Sequence, residues 1–171
     1  MLESFDKCVD LAEKGDHIGL FQLLEEMCRD LVGVKLFTCM TFDMTAGVAQ
    51  RIYTNDAEAY PTFGEKPIEP NRWTQLVLDQ RKPFLARSVV ELRDIFPDHR
   101  QIEALGIGAT INLPVVVNDR VLGTINLLDK DGCYSDGSIA ALAPVRLPAI
   151  VAFSTWNAAI GQVEPEREGV G

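Results

Sequence analysis

No stretch of this chain approaches the roughly 18 to 20 consecutive apolar residues that a membrane-crossing helix needs, which excludes such a span. Positive charge is also in short supply: lysine and arginine number 16 against 25 aspartates and glutamates, a net charge of −9. That balance opposes contact with DNA, RNA or an anionic membrane surface. Arg72, Arg81, Arg87, Arg93 and Arg100 are interleaved with Asp79, Glu91, Asp94, Asp98 and Glu103, which reads as a mixed solvated face rather than an anion site. The only histidines are His17 and His99, and Cys8, Cys28, Cys39 and Cys133 form no Cys-x-x-Cys pair and no zinc signature. A Gly-x-Ser-x-Gly elbow and a Gly-rich loop ending in Lys-Ser or Lys-Thr are both missing, so serine hydrolysis and phosphoryl transfer have no support. The opening residues carry no signal-peptide pattern, and a cytoplasmic location is expected.

What is present suffices for one core. A chain of 171 residues with 47% apolar content buries roughly 70% of its unfolded surface without disulfides or metals. A single domain over 1–161 is expected, its core at about 17–160, followed by a polar tail, 162–171, expected to be disordered. No internal repeat is visible.

The most telling stretch is 109–130, two β-branched apolar runs on either side of Asn118-Asp119, which predicts a β-hairpin. Its strands are apolar except for Thr110, Asn112, Thr124 and Asn126. A two-residue turn pairs Val117 with Arg120 and sets Asn112 opposite Ile125, whereas a three-residue turn pairs Val117 with Val121 and sets Asn112 opposite Asn126. The three-residue turn is preferred, because it gathers the polar set on one face and leaves Ile111, Leu113, Val115, Ile125 and Leu127 on the other. Small polar groups inside an apolar sheet point either to a ligand cavity or to hydrogen bonds with backbone crossing the sheet. If the face is a filled core, Asn112→Leu stabilises the protein.

Around this hairpin the periodicity is plain. Leu2, Phe5, Val9 and Ala12 predict a helix that Gly15 ends, and Asp16 caps a second helix to about Val32 with Ile18, Phe21, Leu24, Cys28 and Leu31 as its stripe. Val34–Phe42 and Val48–Tyr53 read as a second hairpin. From Asn55 to Asn71 four prolines and glycines forbid a regular element, and a lid is favoured. Trp73–Gln80 is a short helix, Phe84–Arg87 a short strand, and Ser88 and Asp98 cap two further short helices, Val89–Phe96 and His99–Leu105. Pro144 and Pro148 must kink or split the apolar segment between Ser135 and Ile160.

This order of elements, without β-α-β alternation, builds an α/β sandwich around a central antiparallel sheet of about five to six strands, with terminal helices on one face and short helices plus loops on the other. The run from Ile111 to Leu128, an apolar strand with Pro-apolar, a turn, then an apolar-Gly-apolar strand, resembles a GAF domain, a relative of PAS domains. Trp73, Pro83 and Phe84 add to the resemblance, which covers roughly 17–160. It implies a sensor fold with a pocket between the sheet and the short helices. It names no ligand or cofactor: the Asn-Lys-Phe-Asp-Glu set of cyclic-nucleotide binders and the Cys-His of bilin binders are both absent, and two histidines give haem little support. Within the implied pocket Asn112, Asn126 and Thr124 are expected to supply hydrogen bonds under a roof of Trp73, Phe84, Ile102 and Leu105. Arg51 and Tyr53 are further candidates, and Trp73 is equally readable as core.

The expected function is a stand-alone small-molecule sensor or regulatory module that closes its 55–71 and 88–108 segments on a ligand and signals through a homodimer or partner. Leu2, Phe5, Phe153 and Trp156 are the expected dimer surface. One alternative is an interaction module without a ligand. Another comes from one branch of the GAF family, the free methionine-R-sulfoxide reductases, which build a site from cysteines; here Cys39 and Cys133 are the only plausible pair, their contexts do not match that branch, and Cys133 sits in a turn that reads as exposed.

Overall fold

A computed structural model gives the fold and describes residues 2–96 and 99–161. The 162–171 tail and the Asp98 cap lie outside the described residues. In chain order the elements are α1 (Leu2–Glu13), α2 (His17–Val32), β1 (Leu36–Asp43), β2 (Val48–Thr54), β3 (Glu65–Pro67), α3 (Arg72–Thr74, continued by a π-helical turn, Gln75–Asp79), β4 (Phe84–Ala86), α4 (Val89–Arg93), α5 (His99–Ala104), β5 (Ala109–Val117), β6 (Arg120–Asp129), α6 (Asp136–Ala141) and α7 (Arg146–Gly161). The strands form one antiparallel sheet in the order β3-β2-β1-β6-β5-β4. No helix among the described residues is long and apolar enough to cross a membrane.

Two clusters sandwich the sheet. Phe21, Leu24 and Cys28 of α2 and Ala149, Ala152 and Phe153 of α7 pack on Phe37, Cys39, Ile111, Ile125 and Leu127. On the other face Val77, Leu92, Ile102 and Ile107 pack with Leu36, Phe84 and Leu128. Asp16 caps α2 as its spacing predicts, accepting from the Gly19 amide at 2.9 Å. The prolines split the last apolar segment: Pro144 enters a 3-10 turn, Ala143–Val145, and Pro148 falls in the first turn of α7, where no intrahelical amide bond is lost. The 55–71 segment is not wholly irregular, since β3 pairs with the outer edge of β2.

The hairpin register corrects the expected turn. Val117 pairs with Arg120 across a two-residue turn in which Asn118 and Asp119 have φ of 49° and 59°, the left-handed values of a type I′ turn. Asn112 nevertheless faces Asn126, because Val116 pairs with Val121 and Val115 with Gly123, leaving Leu122 as a bulge. The extra residue that the turn did not take is absorbed inside β6. Next to it, Gly123 has no side chain because a Cβ there would strike the Phe153 ring and the Met40 carbonyl.

Candidate functional site

A cavity of about 550 Å³ lies on the sheet face opposite α2 and α7. Alternate residues form its floor: Leu36, Thr38, Met40 and Phe42 of β1, Asn126 and Leu128 of β6, Thr110 and Asn112 of β5. Its walls are Ala49 and Arg51 of β2, Tyr60 and 66–69 of the loop, Trp73 and Thr74 of α3, and Ile95, Phe96 and Ile102 around α4 and α5.

A relay of hydrogen bonds crosses the floor. Trp73 Nε1 donates to Asn112 Oδ1 at 3.0 Å, Asn112 Nδ2 to Asn126 Oδ1 at 2.7 Å, and Asn126 Nδ2 to Thr38 Oγ1 at 3.1 Å. Asn112, Asn126 and Thr38 are all buried, so the two bonds that link them form where water competes little, and loss of one partner strands the other. Thr110 instead donates to the Leu127 carbonyl at 3.0 Å. The relay ties the roof helix to three strands.

The loop over the cavity is tethered at several points. Arg51 donates to the Pro61 carbonyl at 2.9 Å and lies over the Tyr60 ring, 4.8 Å from its centroid. Gln101 of α5 donates to the Ala59 carbonyl at 2.7 Å. At the base of the loop the Asn55 side chain accepts from the Phe37 amide at 2.9 Å and donates to Glu25 of α2 at 3.2 Å. Glu25 also accepts from Tyr53 Oη at 2.7 Å and pairs with Arg29. Burial and this carboxylate push the Tyr53 phenol above its ordinary value.

Of the nine side chains singled out in the sequence, Asn112, Asn126, Trp73, Arg51 and Ile102 come together at the cavity. Tyr53 does not: β2 pairs Tyr53 with Cys39 but Arg51 with Met40, and the bulge at Ile52 turns Tyr53 to the helix side, where it packs on Phe21 and Phe37. Phe84 is buried behind the roof against Phe96, and Leu105 packs on that second cluster outside the cavity wall. Thr124 shares the Asn126 face of β6 yet is covered completely, 0% exposed, and its hydroxyl makes no hydrogen bond among the described residues. Phe153 is likewise 0% exposed, packed edge-on against Phe21, and cannot be part of a dimer surface.

Sequence reasoning missed Thr38, Met40, Phe42, Tyr60 and Phe96. The period-2 set Leu36, Thr38, Met40, Phe42 is visible in β1, but its relevance depends on β1 lying next to β6. Nothing local marks Tyr60 or Phe96.

The cysteines lie away from the cavity. Cys8, Cys28, Cys39 and Cys133 all belong to or pack on the helix-side cluster. Burial raises all four thiols, Cys28 up to about 12 and Cys133 up to about 11, with Glu25 adding to the effect at Cys28 and Asp129 at Cys133. Thiolate chemistry needs the opposite shift.

No protein-family model and no curated protein matches the sequence. Solved structures do match. The GAF domain of a two-component sensor histidine kinase from Bacillus halodurans superposes with a TM-score of 0.66 over 82% of this chain and 95% of its own, at 15% identity. The GAF domain/HD domain protein from Geobacter sulfurreducens gives 0.65 over 86% and 96% at 14% identity. The GAF domain from an Acinetobacter phosphoenolpyruvate-protein phosphotransferase gives 0.64 over 94% and 97% at 11% identity. This chain has the GAF fold. At such identities the GAF fold is what these proteins share, and the cavity's chemistry must be read from this chain's own residues.

Proposed function

We propose that this GAF-fold chain is a sensory or regulatory module that binds a small molecule in the cavity and relays binding to a second copy or a partner. The observation that carries this reading is the Trp73-Asn112-Asn126-Thr38 relay, four linked polar side chains on the surface of a cavity of about 550 Å³. A cavity of that size with a few convergent polar groups has the makeup of a ligand site. The neighbours in fold include the GAF domain of a sensor histidine kinase, which supports a sensory role.

Binding acts by population shift. A ligand that contacts Arg51 and Tyr60 favours the tethered arrangement of the loop, and Asn55 and Glu25 connect that arrangement to α2 in the helix layer. Leu2, Val9 and Leu147, exposed on the terminal helices, form the apolar surface through which a dimer assembles.

Native mass spectrometry of the protein purified from cells, set against its denatured mass, tests both parts. The expected result is a dimer with extra mass that Asn112→Leu loses. A dimer with no extra mass, together with no stabilisation by any member of a small-molecule library, moves the assignment to a ligand-free interaction module. Reductase turnover is not expected, and the raised thiols away from the cavity are the reason.

A further inference from the structure

The Trp73 indole lies across the sheet from β5 to β1. β6 runs between those two strands, and Thr124 of β6 pairs with Met40 on one side and Pro114 on the other. The indole donates to Asn112, which shares a face with Pro114 two residues back along β5. Its ring stands 5.8 Å from that of Phe42, two residues beyond Met40 on β1. A line from Asn112 to Phe42 crosses β6 at Thr124, so the indole roofs that residue.

Thr124 is on the cavity face with Asn126, is 0% exposed, and its hydroxyl makes no hydrogen bond among the described residues. Its neighbours on that face, Met40, Phe42, Asn112 and Asn126, all line the cavity, as does Trp73 itself. The indole therefore stands between an unsatisfied buried hydroxyl and the open volume. Trp73 is half-buried, sits on a three-residue helix continued by a π-turn, and spends its single N–H on Asn112.

We propose that Trp73 is a gate and that the floor beneath it is a subsite of the cavity. When the indole swings out, Thr124 joins the cavity and a ligand group takes the place of the indole N–H on Asn112. Exchange of one donor for another at Asn112 is nearly even, whereas the hydroxyl of Thr124 gains a partner it otherwise lacks. The group that fits both donates and accepts hydrogen bonds, as a hydroxyl or a primary amide does, because it pairs with Thr124 in either sense. This rests on the binding role proposed above and adds where in the cavity a polar group of the ligand anchors.

Trp73 and Trp156 are the two tryptophans, and Trp156 packs on the helix-side cluster away from the cavity. Fluorotryptophan labelling of the Trp156→Phe protein thus places one fluorine probe at Trp73, whose NMR shift and solvent isotope effect report exposure. Benzamide and acetophenone are the ligands tested; they share a shape, and the second has a methyl group where the first has its amide NH2. Benzamide is expected to move the Trp73 signal saturably to a solvent-exposed position, and acetophenone to bind about fivefold more weakly or to leave the signal in place. Thr124→Val, which keeps the side-chain shape, weakens benzamide about threefold or more and leaves acetophenone unchanged. Benzamide bound with the Trp73 signal unmoved overturns the gate and leaves the cavity a binding site. Equal benzamide constants for the parent and Thr124→Val overturn the subsite. Failure of both ligands at millimolar concentration overturns the gate and its ligand group and counts against the binding role as well.

Discussion

At the scale of single residues, two neighbours on the same sheet face respond in opposite ways to becoming apolar. The Thr124 hydroxyl is fully buried and makes no hydrogen bond among the described residues, a condition that costs about 1–3 kcal/mol. Thr124→Val keeps the branched shape and is expected to raise stability by about 1 kcal/mol in urea denaturation. Asn112→Leu does the reverse. It strands the Trp73 N–H and the Asn126 Oδ1, which Asn112 otherwise engages at 3.0 and 2.7 Å. A loss of about 1–3 kcal/mol is expected by the same measurement, in place of the stabilisation a filled core predicts. An Asn112→Leu protein as stable as the parent would show that the relay contributes nothing.

At the scale of elements, bulges and tethers decide what each strand presents. Leu122 and Ile52 each reset the period-2 alternation, one to bring Asn112 opposite Asn126 and the other to separate Arg51 from Tyr53. The seat of α7 on the sheet depends on Gly123, and Gly123→Ala is expected to cost about 1–3 kcal/mol or more, since the Met40 backbone cannot yield as a side chain would. The loop over the cavity depends on Arg51. Arg51→Ala removes the bond to Pro61 and the contact with Tyr60, so amide exchange across 55–71 is expected to quicken while α7 exchanges as before. Uniform quickening would mean that Arg51 stabilises the whole fold and not this loop.

At the scale of the whole molecule, buried thiols make stability sensitive to alkali. Burial raises Cys28 up to about 12 and Cys133 up to about 11, and Cys39 well above its ordinary 9.0. These groups keep their protons in the folded state at a pH where the unfolded chain releases them, so the folded state binds more protons. Their contribution is fully present below about pH 9 and declines as pH climbs toward the folded values. Urea midpoints should therefore fall as pH rises from about 9 toward about 11, and a flat profile would contradict the burial of these thiols. Half-buried Cys133 is expected to react first with a thiol reagent in the folded state, with Cys28 and Cys39 reacting only on unfolding.

The sequence by itself determined the order of elements apart from β3, the Asp16 cap, the hairpin over 109–130 and the polar set within it, because caps, turns and alternation are short-range consequences of residue type. It also picked out Asn112, Asn126, Trp73, Arg51 and Ile102, which the fold brings to one cavity. Only the tertiary structure decided the rest. The placing of Thr38 beside Asn126 needed β1 to lie against β6, and the turning of Tyr53 away from Arg51 needed a bulge set by pairing with β1. Phe153 went to the core because Gly123 left room for its ring. A residue's type and spacing say which side of a strand it shares with its neighbours; which surface that side meets is settled by partners distant in the chain.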